Sequence, residues 1–271
     1  KMELPNINKK KIKALLREEK RLDNRDPFEY REIFIETGIS DKAEGSSRVK
    51  IGKTEVVVGV KLDTQEPYTD HLDEGTMVVG MEFNPICGSR YESGAPKMNA
   101  IEVSRVVDRG IRESGFIDWK KLCIKKGEKV WSIMIDIYCI NDDGNVLDAS
   151  SLGAVIALKL AKFPVYDKKE EVVRYGEFTD DYLPLSENFP LTITFYKVGD
   201  NMLTDPNRDE EDASDARITL AISSVKKEKI IHSMQKGGIS PISLKEIDEI
   251  IRQAEKVYDK LFSEIDKRIK K

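Results

Sequence analysis

The segment from Asp142 to Leu158, DDGNVLDASSLGAVIAL, has the plan of an anion-binding site. An apolar run predicts a buried strand, a tight turn follows it, and hydroxyl groups then mark the start of an apolar helix. These parts are the run Val130–Ile140, the turn Asp143–Asn145 and the helix start at Asp148, Ser150 and Ser151. Free backbone N–H groups and the helix dipole at such a start attract a phosphate. However, the segment contains no Arg or Lys, and Leu147 and Asp148 stand where a cation is expected.

Three arginines, Arg105, Arg109 and Arg112, recur at spacings of four and three in the helical pattern of Asn99–Ser114. This spacing places them on one face of the helix, opposite its apolar residues. We call this row the arginine ridge. Guanidinium groups suit phosphates because each offers a planar, bidentate set of donors. The alternative is a solvated helix face, on which the arginines pair with nearby acids at about 0.2–0.5 kcal/mol per pair.

Five carboxylates lie within the seven residues Asp209–Asp215, DEEDASD. Such a cluster binds Mg²⁺ or Ca²⁺, or supplies a general acid, when its side chains converge. The alternative is a solvated acidic loop before a strand. The Gly and the final Glu of an EF-hand are missing, and two His with three scattered Cys do not suggest zinc. We therefore predict no metal site, and we expect His71 and His232 to be surface or loop residues.

The composition limits the class of protein. Of 271 residues, 39% are hydrophobic and 35% are charged, and the net charge is −4, so any nucleic-acid binding needs a local basic patch. No apolar run approaches the ~20 residues of a membrane helix, and the charged first residues do not suggest a signal peptide. The odd, sparse cysteine count suits a reducing compartment. We expect a cytoplasmic protein with no membrane contact.

The order of the predicted elements indicates an α+β protein with two lobes, over residues 1–185 and 186–271. Each lobe is expected to contain a mixed β-sheet with helices packed on one face. A short amphipathic helix is predicted over Asn8–Lys20, and the polar residues Lys168–Pro190 suggest a connector. The chain ends in a long amphipathic helix, which Ser243 should cap and Glu246 should complete as a capping box.

Six stretches together follow a known family pattern. They are RLDNRDPFEYREIFIETG, GSSRVKIGKTEVVVGVK, DEG, NAIEVSRVVDRGIRES, KVWSIMIDIYCINDDGNVLDASSLGAVIAL and DPNRDEEDASDARITLAI. On these stretches, nearly all of residues 8 to 265 resembles the RNase PH family, and more narrowly the non-catalytic RNase PH-like subunit of the archaeal exosome ring. One departure is Asn24, which replaces the Gly of the family's usual RxDGR.

The resemblance implies an RNase PH-like fold and 3′→5′ phosphorolysis, in which inorganic phosphate attacks the last RNA linkage and the reverse reaction adds nucleotides. Active members bind phosphate with G-T-R-[ST], which falls here on Asn145–Asp148. Leu147 then replaces the phosphate-binding Arg, and Asp148 replaces the hydroxyl residue and should repel the anion. The catalytic Asp position falls on Arg217, and its carboxylate companion falls on Glu211. We therefore expect a subunit with no catalytic residue and no cofactor of its own.

The resemblance also implies partners. These are a catalytic RNase PH-like subunit in a heterodimer, three such dimers in a hexameric ring, and RNA-binding cap subunits. Arg105, Arg109 and Arg112 would hold the 3′ end of single-stranded RNA, while phosphate, with or without Mg²⁺, would belong to the catalytic partner. Two alternatives stay open: a chain that is itself an active phosphorolytic enzyme, and a purely structural spacer in the ring.

Overall fold

Six strands form the first sheet, which carries the turn of the candidate anion site. They are β1 (Ile33–Thr37), β2 (Gly45–Ile51), β3 (Thr54–Gln65), β4 (Thr76–Phe83), β5 (Cys123–Lys125) and β6 (Lys129–Asn141). The order is β1-β2-β3-β6-β4, with β5 beside β6, and only the β4–β6 pair is parallel. Alternate residues of β3 are buried, because a strand with one face on a core points every second side chain inward. The computed structural model describes residues 6–18, 20–226 and 228–269.

Two helices, α2 (Met98–Arg112) and α3 (Val146–Leu160), cover one face of this sheet. Every residue of α3 from Val146 to Leu158 is buried, and Gly153 lets the helix lie close against Val58 of β3. The prediction that α3 would begin near Ser150 is wrong, since it begins four residues earlier. The hydroxyl groups taken for a helix start point inward instead, and Ser151 bonds Thr192. No helix among the described residues combines the length and apolarity needed to cross a membrane.

The second sheet lies on the other side of α2 and α3. Its strands are β9 (Leu191–Val198), β10 (Asn201–Thr204), β11 (Ala216–Val225) and β12 (Glu228–Gly238), all antiparallel in the order β10-β9-β11-β12. The long helix α5 (Leu244–Ile269) packs on its outer face. The predicted α+β fold is confirmed, but this sheet has helices on both faces rather than one. The reason is that the two sheets share α2 and α3, so one apolar core runs through both lobes.

The first helix, α1 (Asn6–Arg17), packs against the second sheet. Its Ile12 and Leu16 form a small apolar cluster with residues of β9 and β10, including Tyr196 and Leu203. The sequence grouped this helix with the first lobe, because chain order does not show which sheet it covers.

The boundary at residues 185/186 stays a prediction, and residues 1–5 and 270–271 of the predicted lobes lie outside the described residues. The capping box of α5 is confirmed: Ser243 and Glu246 bond reciprocally at 2.7 and 3.3 Å.

Two polar segments are more regular than the sequence indicated. The residues predicted as a connector belong largely to a hairpin of β7 (Lys162–Asp167) and β8 (Val172–Tyr182). Nearly all of β8 is exposed, so it lacks the apolar alternation by which strands are recognised. The acidic segment is a short helix, α4 (Arg208–Ala213), which Asn207 and Glu210 begin with a capping box.

As predicted, His71 is exposed in a loop. His232, in contrast, is half-buried in β12 and bonded to Ser223.

The turn between β6 and α3 is pressed against the segment that precedes α4. Gly144 has φ +85°, and a Cβ there would lie 2.6 Å from backbone atoms of Pro206 and Asn207. This position therefore needs glycine both for its left-handed backbone and for the close approach. The turn is fixed in place by contact with a segment some sixty residues away in sequence.

We predict that Gly144→Ala lowers the free energy of unfolding by more than Gly176→Ala does. Gly176 has a similar φ of +88° but no atom within 4 Å of its virtual Cβ, so it reports backbone strain alone. Strain should cost each variant about 1–2 kcal/mol, and the overlap at Gly144 should cost about 1–3 kcal/mol more. Urea denaturation measures both. Equal losses would show that the contact with Pro206 and Asn207 is not tight.

Candidate functional site

The arginine ridge occupies the exposed face of α2, and Val103, Val107 and Ile111 are buried on the opposite face. Arg105 makes no hydrogen bond or ion pair with any residue that the structure describes. Arg109 pairs with Glu113 at 2.7 Å in an exposed i,i+4 contact, which is worth about 0.3–0.5 kcal/mol. Both guanidiniums are therefore available to an external anion.

Arg112 differs from the other two ridge arginines. It donates twice to Asp108, at 2.7 and 3.1 Å, and once to the Met77 carbonyl at 3.0 Å. Its guanidinium also lies 5.5 Å from the ring centroid of Trp119. These contacts hold Arg112 against the first sheet. A groove of about 420 Å³ between α2 and the edge strand β4 is lined by Arg105 and Arg109 but not by Arg112.

The turn after β6 has the backbone donors of an anion site, but the chain's own carboxylates occupy them. Asn145, at the start of α3 with φ 57°, donates its backbone N–H to Glu211 at 2.8 Å. Gly144 donates its N–H to Asp142 at 3.1 Å. Burial raises the pKa of Glu211, while the nearby Arg208 charge acts to lower it. A carboxylate of α4 thus sits where a bound phosphate would accept the same bond.

Leu147 lines the cleft beside this turn. Asp148 does not face the cleft, so the expectation that it would repel an anion there is wrong. It is buried, and its carboxylate accepts bonds from the Tyr30 hydroxyl at 2.7 Å and from the backbone and hydroxyl of Thr194 at 3.1 and 2.7 Å. Burial raises its pKa to about 6, although these hydrogen bonds act to lower it. The earlier start of α3 turns this side chain toward the second sheet.

The cleft, of about 450 Å³, contains cations from distant segments. Each already has a carboxylate partner: the pairs are Arg90–Asp212, Lys97–Glu92, Arg208–Asp142 and Arg217–Glu102, at 2.9, 2.8, 3.0 and 2.5 Å. Three carboxylates line the cleft beside these four cations: Glu102, Asp142 and Glu211. The sequence analysis did not identify Arg90 or Arg208 as residues of the cleft. The available signal was that Arg208 begins the acidic run, three and four residues before Glu211 and Asp212.

The carboxylates of the acidic segment diverge instead of forming one cluster. Glu210 pairs with Arg21, Asp212 with Arg90 and Arg208, and Asp215 with Lys13. Among the described residues, no group of three or more His, Cys, Asp or Glu side chains converges as metal ligands would. The acids of this segment act as internal partners for arginine and lysine.

A buried polar network holds the turn and α4 together. The Asp205 carboxylate is fully buried and accepts two bonds from the Arg31 guanidinium, at 2.8 and 2.9 Å, one from Arg25 at 3.0 Å and one from Asn145 at 2.9 Å. Burial alone would raise the pKa of Asp205, but the hydrogen bonds and charge of Arg31 lower it overall. Arg31 also donates to the carbonyls of the turn, at Asp143 and Gly144.

The segment RLDNR enters the same network. Arg21 is buried and forms an ion pair with Glu210 of α4, and it also donates to backbone carbonyls at Thr204 and Asp205. Asn24 has φ +62°, a left-handed conformation in which Asn replaces Gly at little cost. The departure from the RxDGR pattern therefore preserves the backbone of this turn.

Comparisons with known proteins identify related sequences and structures over most of the chain. The models for domains 1 and 2 of the 3′ exoribonuclease family match residues 29–164 and 188–257. The chain is 42% identical to exosome complex component Rrp42 of Methanocella arvoryzae over 92% of this chain and 91% of that protein. It is 39% identical to the component of the same name from Thermococcus onnurineus, covering 97% of both chains. A structure described as the Archaeoglobus fulgidus exosome with RNA bound to the active site contains a chain with a TM-score of 0.86 and 38% identity, covering 96% of this chain and 98% of that one.

We predict that Asp148→Asn changes how stability depends on pH. Because the folded-state pKa of Asp148 is about 6 rather than 3.8, the wild-type chain loses stability as pH rises through that interval. Asn does not titrate. As pH rises from 4 to 7, the unfolding free energy of the wild type should therefore fall, relative to that of the variant, by up to about 3 kcal/mol. Urea denaturation across this range measures the shift. A difference independent of pH would contradict the burial of an ionisable group here.

We also predict that Glu211→Ala opens the turn to an external anion. Without the internal carboxylate, the Asn145 N–H loses its acceptor. Inorganic phosphate should then bind there and raise the melting temperature of the variant by a few degrees. Phosphate should not stabilise the wild type beyond the effect of chloride at equal ionic strength. Asp209→Asn, which removes a carboxylate from the exposed side of α4, is the matched control. Equal stabilisation of all three proteins by phosphate would show that Glu211 does not occupy the site.

Proposed function

This chain belongs to the 3′ exoribonuclease (RNase PH) family, and from that membership we propose that it is a non-catalytic, RNA-positioning subunit of an archaeal exosome. The complex degrades RNA from its 3′ end by phosphorolysis and adds nucleotides in the reverse direction. The observation that carries the proposal is the carboxylate of Glu211 at the backbone donor that a phosphate would use. The chain retains the outline of a phosphate site but fills it with its own acid.

The residues at the reacting positions also support a non-catalytic role. Leu147 offers no charge to a phosphate dianion, and the arginines in the cleft are already paired with carboxylates. Arg217 lies where active relatives carry a catalytic acid, and a guanidinium stays protonated in proteins, so it cannot transfer a proton. Burial alone would lower the pKa of Arg217, but its bond to Glu102 raises it, which keeps the charge in place.

The ridge supports a direct role in RNA binding. Arg105 and Arg109 project from α2 without strong internal partners, and phosphate contacts of this kind do not depend on base sequence. We assign the grip on the RNA 3′ end to these two residues. Arg112, predicted as a third contact, would serve instead to fix the ridge to the first sheet.

This role requires partners. The chain would pair with a catalytic RNase PH-like subunit, whose active site lies beside the ridge, and three such heterodimers would close a ring that RNA-binding cap subunits cover. The attacking phosphate, and Mg²⁺ where the reaction uses it, would be bound by the catalytic subunit. The three cysteines are free, which suits the reducing conditions of the cytoplasm, where we place the complex.

We predict that Arg105→Glu with Arg109→Glu weakens RNA binding by the assembled complex about tenfold or more. The slope of log affinity against log salt should also fall by about one for each RNA phosphate that the variant no longer binds. Arg252→Glu with Arg268→Glu, a double charge reversal on α5, is the matched control and should leave RNA affinity unchanged. Unchanged RNA affinity and degradation in the ridge variant would favour the structural spacer.

A second assay tests the alternative that the chain is itself an active phosphorolytic enzyme. This chain without its partner, given RNA and inorganic phosphate, should release no nucleoside diphosphate. Release by the isolated chain would identify it as an active enzyme and contradict the assignment of the cleft as degenerate.

A further inference from the structure

An ion pair connects the degenerate catalytic position to the ridge helix. Arg217 of β11 and Glu102 of α2 lie 2.5 Å apart between Nη2 and Oε1. The same oxygen of Glu102 accepts a bond from the side-chain amide of Gln235 on β12, at 3.1 Å. Two neighbouring strands of the second sheet thus hold one carboxylate of α2. The Arg217 and Glu102 side chains are 21% and 34% exposed, so the pair is partly shielded from salt.

The neighbouring strand leaves room for this arrangement. Gly237 of β12 lies opposite Arg217 in the strand register. A Cβ at Gly237 would lie 2.9 Å from Cζ of the Arg217 guanidinium and 3.1 Å from one of its nitrogens. The φ of Gly237 is not in the left-handed region, so the backbone does not demand glycine there. The small residue accommodates the guanidinium that reaches Glu102.

Glu102 lies three residues before Arg105 and seven before Arg109 on the same helix. The other half of α2 is held by a close approach of Gly110 to Ala221 of β11, where a Cβ on Gly110 would lie 3.1 Å from the Ala221 Cβ. The helix is therefore fixed to β11 at two points along its length. Two such contacts prevent rotation about the helix axis, and this rotation sets the direction in which Arg105 and Arg109 point.

We propose that Arg217 and Glu102 are positioning residues for RNA binding, which orient Arg105 and Arg109 toward the partner's active site. The inference rests on the proposed function of the ridge. The position that carries a catalytic carboxylate in active relatives holds a cation here, and this cation orients the helix that binds RNA. One residue then both replaces the catalytic acid and supports the ridge.

The test measures phosphorolysis of single-stranded RNA by the complex assembled with its catalytic partner. Arg217→Met and Glu102→Gln should each raise the KM for RNA roughly three- to tenfold and change kcat by less than about twofold. The exchange of the two charges, Arg217→Glu with Glu102→Arg, should recover most of the loss. Gly237→Ala keeps both charges but displaces the guanidinium, and it should raise the KM in the same direction. Gly237→Ala also tests the proposal if the Arg217→Met subunit fails to assemble with its partner.

Lys197→Met is the matched control, because Lys197 forms a similarly buried ion pair with Glu246 on the outer face of the same sheet. It should leave the KM for RNA unchanged, and light scattering and thermal melting should confirm that all variants assemble. If Arg217→Met and Gly237→Ala keep the wild-type KM while the ridge variant loses RNA affinity, the positioning role is wrong and the proposed function stands. If the ridge variant also keeps the wild-type KM, both proposals fail.

Discussion

The buried carboxylate of Asp205 is the interaction on which the candidate site depends. It accepts bonds from Arg25, Arg31 and Asn145, which come from two distant parts of the chain. The neighbouring buried pair of Arg21 and Glu210 fixes the start of α4. Loss of one partner from such a network leaves an unpaired buried charge and typically costs about 3–5 kcal/mol. The network sets the distance between the turn after β6 and α4, and therefore places Glu211 at the Asn145 N–H.

This constraint places an internal carboxylate at the turn, which is the basis of the proposed non-catalytic role. The arginines in the cleft each have a carboxylate partner, and Glu211 occupies the backbone donor. A phosphate dianion would have to displace internal carboxylates and would meet Leu147 where active relatives offer arginine. The exposed face of α2, in contrast, offers Arg105, which has no partner among the described residues, and Arg109, which has only an exposed one. In the proposed function, the cleft has a structural role and the ridge makes the contact with RNA.

The sequence predicted features with strong periodicity or strong caps. Local patterns predict the buried strand β6, the ridge helix and the Ser243 capping box. The exposed hairpin of β7 and β8 lacks an apolar pattern, so it was missed. The direction in which the Asp148 side chain points depends on where α3 begins. Asn145 determines that start, because its left-handed backbone conformation ends the turn just before the helix. Arg90 and Arg208 reach the cleft from remote segments, a convergence that spacing along the chain cannot show.

RNA should therefore meet this chain on the ridge and not in the cleft. Photocrosslinking tests this directly: single-stranded RNA with a photoreactive 3′ nucleotide is bound to the assembled complex, and the crosslinked peptides are identified by mass spectrometry. We expect crosslinks within residues 98–112 and none within residues 142–158 or 208–217. Crosslinks concentrated at Leu147 or Arg217, with α2 unlabelled, would show that the RNA enters the cleft instead.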